Sequence, residues 1–195
     1  MMRFKMIICP LFLMMCLALG AQSKMEREFR IKRSQFPKKT AALLKDHLQK
    51  VKQVRYYKEV DSVKVSYEVK FKKDRLHYSM EFSEDGHLED IEVSVEQLDV
   101  PNETWDNILG HLERDSVKYR IIKIQQQYPV SNDRAEATTI KNAFQNLMLP
   151  YINYEVMVSK KGNNGFRDYE ILFDAEGHFI RSRKSLPPNY DHILY

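Results

Sequence analysis

Apolar and polar positions along this chain change period twice over. Ala41, Leu44, Leu48 and Val51 recur at helical spacing and make one apolar stripe. Pro37 stands where its missing N–H does no harm, in the first turn of that helix. The period then falls to two. Val63, Val65, Tyr67, Val69 and Phe71 alternate with polar residues, as do Leu76, Tyr78, Met80 and Phe82, and then Ile91, Val93 and Val95. Such alternation predicts antiparallel strands with one buried and one wet face. Val54 to Val60 reads as a further strand, and Glu84-Asp85-Gly86 as a tight turn whose glycine accepts positive φ. The second half begins with another helical stripe, Trp105, Ile108, Leu109 and Leu112, and a strand from Tyr119 to Gln126. Ile152 to Val158 and Tyr169 to Phe173 alternate again, and Asp174-Ala175-Glu176-Gly177 makes the turn. Between them Ile140, Ala143, Phe144 and Leu147 return to helical spacing, with Ser131, Asn132 and Asp133 as candidate caps.

The two halves resemble each other. Phe82-Ser83-Glu84-Asp85-Gly86-His87-Leu88 reappears as Phe173-Asp174-Ala175-Glu176-Gly177-His178-Phe179, at a shift of 91 residues. Ser66-Tyr67-Glu68-Val69 matches Asn153-Tyr154-Glu155-Val156, and Phe36-Pro37 resembles Val100-Pro101. The expected architecture is therefore α+β: a tandem repeat of one helix plus about four antiparallel strands, with the helices packed on one sheet face. The first unit spans 36–95, a linker 96–99, and the second unit 100–186 with a helical insertion near 126–150. A lead-in of residues 22–35 precedes them and a tail of 187–195 follows. Either the helix at Trp105 or the inserted helix matches the first unit's helix.

Residues 1–21 read as an address. Arg3 and Lys5 precede an apolar run from Met6 to Leu19, and Gly20-Ala21 supplies a small-residue exit. That is a secretory signal peptide cleaved after about Ala21, and the run falls short of the ~20 residues of a spanning helix. Both cysteines, Cys9 and Cys16, leave with it, so no disulfide, thiolate nucleophile or cysteine metal ligand is expected in the mature chain. The net charge of +4 falls to +2 with the loss of Arg3 and Lys5, too mild a balance for nucleic acid. No membrane span is expected in the mature chain, which is placed in the periplasm or outside the cell.

Phe36-Pro37, Tyr67-Glu68-Val69 and Phe82-Ser83-Glu84-Asp85-Gly86, with Tyr154-Glu155-Val156 and Phe173-Asp174-Ala175-Glu176-Gly177, carry a family resemblance. From about residue 36 to 185 the chain resembles the PepSY-like, or β-lactamase-inhibitor-like, periplasmic proteins of Bacteroidetes-type bacteria. That resemblance implies tandem α-plus-β units and a binding or inhibitory role at the cell envelope, without catalysis. The chain departs from the pattern in its long insertion and in having Ser66 and Asn153 where family members often carry glycine. It has no counterpart of the loop that enters a β-lactamase active site, so inhibition of that enzyme does not carry over.

Chemistry-bearing motifs are scarce. There is no G-x-S-x-G, no G-x-G-x-x-G and no P-loop. No catalytic residue, cofactor site or metal site is assigned. His87 and His178 recur at equivalent turns, readable as a paired metal or pH-sensing site or as one turn residue inherited twice. What remains is the polar sheet face. Lys64, Glu68, His77 and Glu81 share it in the first half, Glu155 and Met157 in the second. One ring of the adjacent pair Tyr56 and Tyr57 must also point there, as an exposed contact. The expected function is an exported, non-enzymatic protein-binding module whose partner is an envelope or secreted protein. The alternatives are an inhibitor or regulator of a secreted hydrolase, and a small-ligand or metal-binding envelope protein.

Overall fold

Strand alternation dominates the molecule. The computed structural model describes residues 27–60, 64–116, 118–131 and 135–185. The signal-like segment 1–21, the caps Asn132 and Asp133, Val63 and the tail 187–195 lie outside the described residues. Among the described residues nine strands follow one another: β1 (Arg27–Ile31), β2 (Lys52–Val60), β3 (Val65–Lys73), β4 (Leu76–Ser83), β5 (Leu88–Val95), β6 (Tyr119–Pro129), β7 (Asn153–Gly162), β8 (Gly165–Asp174) and β9 (Phe179–Lys184). Three helices are interspersed: α1 (Lys38–His47) between β1 and β2, α2 (Asn102–Asp115) between β5 and β6, and α3 (Glu136–Phe144) between β6 and β7.

All nine strands form one sheet, each hydrogen-bonded to its neighbours in sequence, and every pairing is antiparallel. This corrects the expected tandem repeat of helix-plus-four-strand α+β units. The join is the reason. Asp90–Val95 of β5 pairs with Ile124–Pro129 of β6 without a break, so the sheet runs straight through the point where two units would have to part. A unit closed at β5 would leave a row of unpaired backbone groups along that edge. Residues 126–129, assigned to the insertion, belong to β6, and the expected linker contains a 3-10 turn at Gln97–Asp99. The lead-in supplies a strand as well, since β1 pairs with β2 over its whole length.

One apolar core lies on one side of this sheet. Val69, Met80, Ile91, Tyr128, Val156 and Ile171 face it, joined by Leu44 from α1, Trp105, Ile108 and Leu112 from α2, and Ile140 and Ala143 from α3. Both α1 and α2 begin after a proline, Pro37 and Pro101, and are tied to a hairpin turn. Thr40 Oγ1 donates to Gly86 O at 3.2 Å, and Thr104 Oγ1 to Ala175 O at 2.9 Å. Gly86 and Gly177 have φ of +79° and +86°, and a Cβ on Gly177 would lie 2.3 Å from Thr104 O. Glycine is therefore required where the helix crosses the turn. The local likeness of these two junctions explains the matching sequences without dividing the sheet. Even the core carries polarity. Gln126 is fully buried there and accepts from the Tyr128 hydroxyl at 3.2 Å.

The candidate functional site: an open sheet face

Among the described residues no helix packs on the other side of the sheet, which is set by the residues of opposite parity. Register decides which of them meet. Tyr57 on β2 stands opposite Glu68 on β3, Glu68 opposite Glu81 on β4, and Glu81 opposite Asp90 on β5. Three carboxylates from adjacent strands thus form one cross-strand row. The next row brings Arg55, Lys70, Ser79, Glu92 and Gln127 into line. On the second half Glu155 lies between Gln125 and Leu172, and Met157 between Lys123 and Glu170.

At one end of the acid row sits a buried ion pair. Glu68 is only 8% exposed. Lys70 Nζ lies 2.8 Å from Glu68 Oε2 and 3.0 Å from Glu28 Oε2, and Ser79 Oγ donates to Glu68 Oε1. Burial alone would raise the Glu68 carboxyl, but the Lys70 charge and the bonds from Lys70 and Ser79 outweigh it and hold it below its ordinary value. Burial likewise works to lower Lys70, and the charges of Glu68 and then Glu28 hold it above the usual lysine range. Glu28, Glu59 and Glu68 bring carboxylate oxygens within 4.8 Å of one another, the one such acidic group among the described residues. The Lys70 ammonium already bridges two of the three, where a metal cation would otherwise sit.

The centre of the face behaves in the opposite sense. Burial, followed by the charges of Glu81, Glu155 and Glu89, pushes the Asp90 carboxyl well above its ordinary value, against the Gln127 hydrogen bond of 2.9 Å. Burial, then Glu155 and Asp90, does the same to Glu92, against Lys123. Gln125 Nε2 donates to Glu92 at 2.6 Å, and Asn153 Nδ2 to Gln127 Oε1 at 3.0 Å. The amides of β6 are thus the donors that keep this carboxylate cluster hydrogen-bonded.

The residues expected on this face divide. Glu68, Glu81, Glu155 and Met157 have its parity, Lys64 pairs with Glu81 at 3.6 Å, and His77 is exposed opposite Lys72. The tyrosines depart from expectation. Tyr56 stands opposite Val69 on the helix side and meets the Phe36 ring edge-on at 5.1 Å. Tyr57 has the open-face parity but is 9% exposed, its ring lying 4.8 Å beneath Lys70 Nζ. Neither ring is a free contact. Glu92, Gln125 and Gln127 were not singled out from sequence, and Asp90 only within the acid pair Glu89-Asp90. Their signal was parity, since Asp90 and Glu92 flank Ile91 and precede Val93, but parity does not reveal which acids become neighbours. His87 and His178 occupy turns four strands apart, about 19 Å at the usual strand spacing, so they do not share an ion. His87 instead contacts Lys39 at 2.9 Å and Glu136 at 3.4 Å, and His178 contacts Asp174 at 3.2 Å.

The geometry defines a class: a long antiparallel meander with short helices over one face and a polar face left open. Among solved structures it is similar to a DUF2874 family protein from Bacteroides ovatus, with a TM-score of 0.50 and 9% identity over 76% of this chain and 86% of that one. A DUF2874 family protein from Bacteroides uniformis has a TM-score of 0.49 at 16% identity, covering 76% of this chain and 89% of its own. A BLIP-like protein from Bacteroides fragilis has a TM-score of 0.46 at 9% identity, covering 76% and 86%. The likeness to the Bacteroides ovatus protein is one of fold alone. The PepSY part of the expected resemblance finds no counterpart in these three. No family model matches the chain, and neither does any curated protein. No described helix is long and apolar enough to cross a membrane.

Proposed function

We propose that this chain is a non-enzymatic protein-binding module of the bacterial cell envelope, exported behind residues 1–21 and working in the periplasm or outside the cell. Its contact surface is the open sheet face, centred on Glu81, Asp90, Glu92 and Glu155. The supporting observation is the register that sets Glu68, Glu81 and Asp90 directly opposite one another on three strands. Like charges in that relation cost a sheet stability. Local rules are broken in this way where function requires it. A partner presenting Lys and Arg would relieve the repulsion, so the face fits a basic surface.

Photo-crosslinking tests this reading. A crosslinking residue at Glu81 or at Met157 captures the same envelope protein, and one at Lys141, exposed on α3, does not. Capture from Met157 weakens when Glu81→Gln and Asp90→Asn remove the charge. Equal capture from both faces, or indifference to those substitutions, overturns the proposal. Where the captured protein is a hydrolase, its activity with and without the module decides between simple binding and inhibition.

A further inference from the structure

An antiparallel meander sends its turns alternately to the two ends of the sheet, and here the ends differ in charge. The β4–β5 turn carries Glu84 and Asp85, and the β8–β9 turn Asp174 and Glu176. At the opposite end Lys72, Lys73 and Arg75 surround the β3–β4 turn, and Lys160, Lys161 and Arg167 the β7–β8 turn. The second of these basic tips projects. Among the described residues β6 pairs with β7 as far as Lys160 and β9 with β8 as far as Tyr169, while β7 and β8 pair on to Gly162 and Gly165. Lys161 N donates to Lys118 O at 2.9 Å, which sets those two residues side by side, and Phe166 stands opposite Lys161 on β8.

Register thus gathers Lys118, Lys161 and Phe166 into one row, with Arg167 beside it. Phe166 is 50% exposed, and Lys118, Lys161 and Arg167 are exposed as well. Asp115 takes up the charge of Lys160, but the other three cations have no carboxylate within ion-pair distance among the described residues. Ile122, in the register break near the start of β6, adds a second exposed apolar side chain. We infer that the β7–β8 tip docks on an anionic lipid surface, with Phe166 at the level of the headgroups and Lys118, Lys161 and Arg167 on lipid phosphates. An aromatic ring among lysines and arginines has the composition of an interfacial anchor. The long basic side chains keep their charge among the headgroups while their stems lie on apolar surface. The same anionic field repels the acidic turns at the far end, so the molecule would stand on the surface in one orientation. A single nucleic-acid strand is favoured less. It follows a basic groove with stacking rings, whereas this tip is convex and Ile122 cannot stack. The tip is distinct from the acid row, and the inference stands or falls without the protein-binding role proposed above.

Co-sedimentation of the purified mature protein with phosphatidylcholine vesicles, with and without phosphatidylglycerol, tests the inference. The expected result is partition onto the vesicles that contain phosphatidylglycerol, falling as salt is raised. Each lysine or arginine near such a surface strengthens partition about fivefold, so Lys161→Gln with Arg167→Gln weakens it about thirtyfold. Phe166→Ser withdraws a ring that is already half in water and weakens it about fivefold. Lys38→Gln with Lys141→Gln removes the same charge from exposed sites on α1 and α3 and changes partition by about twofold at most, because both lie beyond a screening length from the surface. Lys38 opens α1, which is tied to the acidic β4–β5 turn through Thr40. Circular dichroism checks that all variants fold. Indifference to phosphatidylglycerol, equal losses in the two double variants, an unchanged partition of Phe166→Ser, or preference for a single-stranded oligonucleotide over the vesicles overturns the inference.

Discussion

Replacing Lys70 by Met tests the electrostatics of the open face most directly. The ammonium lies 2.8 Å from a Glu68 oxygen that is almost out of solvent. At an effective dielectric of about 20 the gross attraction at that distance is about 6 kcal/mol. The Lys70 side chain is 39% exposed, so solvent screens much of this. Breaking a fully buried pair costs about 3–5 kcal/mol. With this exposure Lys70→Met is expected to cost about 2 kcal/mol. Glu68→Gln keeps an acceptor for Ser79 and leaves Lys70 its contact with Glu28, so it costs about 1 kcal/mol. In the double variant the methionine has no buried charge to abandon, and the coupling between the two sites is about 1–2 kcal/mol. Urea denaturation of the four proteins measures these quantities. The pH dependence supplies the sign. In the wild type the Glu68 carboxyl is lowered, so its contribution is present above the unfolded value of 4.5 and is lost as pH falls through the folded one. Without Lys70, burial outweighs the remaining Ser79 bond, the carboxyl rises, and stability is lost as pH rises above 4.5. The gap between wild type and Lys70→Met therefore closes as pH falls from 8 toward 4.5. A loss under about 0.5 kcal/mol at pH 8, or a gap that does not narrow on acidification, refutes the reasoning.

Asp90 and Glu92 give the reverse pH signature. Both are held up in the folded state, so each costs stability as pH rises above its unfolded value of 3.8 or 4.5. Asp90→Asn and Glu92→Gln, which keep the acceptors for Gln127 and Gln125, are expected to raise the urea midpoint at pH 8 and leave it unchanged near pH 4. Two glycines of positive φ, Gly177 and Gly165, should separate by surroundings. Gly177→Ala drives a Cβ against the Thr104 carbonyl and costs about 3 kcal/mol or more. Gly165→Ala, with nothing within 4 Å, meets only the backbone penalty of about 1 kcal/mol, and thermal unfolding ranks the two.

Much of the architecture was legible one strand at a time. Alternation at Val65–Phe71, Leu76–Phe82 and Ile152–Val158 marked the strands and their buried sides, because a side chain's face depends only on its own parity. Parity also placed Glu68, Glu81 and Glu155 on the polar side. The strand β1 was missed because Arg27–Ile31 is short and carries only Phe29 and Ile31 as apolar residues. Its place comes from the edge that β2 offers it. Gln125 and Gln126 belonged to the expected strand and Gln127 to the expected insertion, but no pattern marked all three as buried. Two of them supply the amides that hold the acids, and the third joins a core hydroxyl.

The amino-acid order by itself determined the local periods, the proline-led helices, the glycine turns and the division of each strand into an apolar and a polar edge. These depend on interactions within a few residues. Tertiary structure alone decided that β5 joins β6 across the whole of α2, making one sheet of what the repeated motifs imply are two units. It also decided that Tyr57 lies under Lys70, that three carboxylates line up across β3, β4 and β5, and that Lys118, Lys161 and Phe166 meet at one tip. Each of those outcomes rests on pairing register between separate strands, and a shift of a single residue would exchange one face for the other.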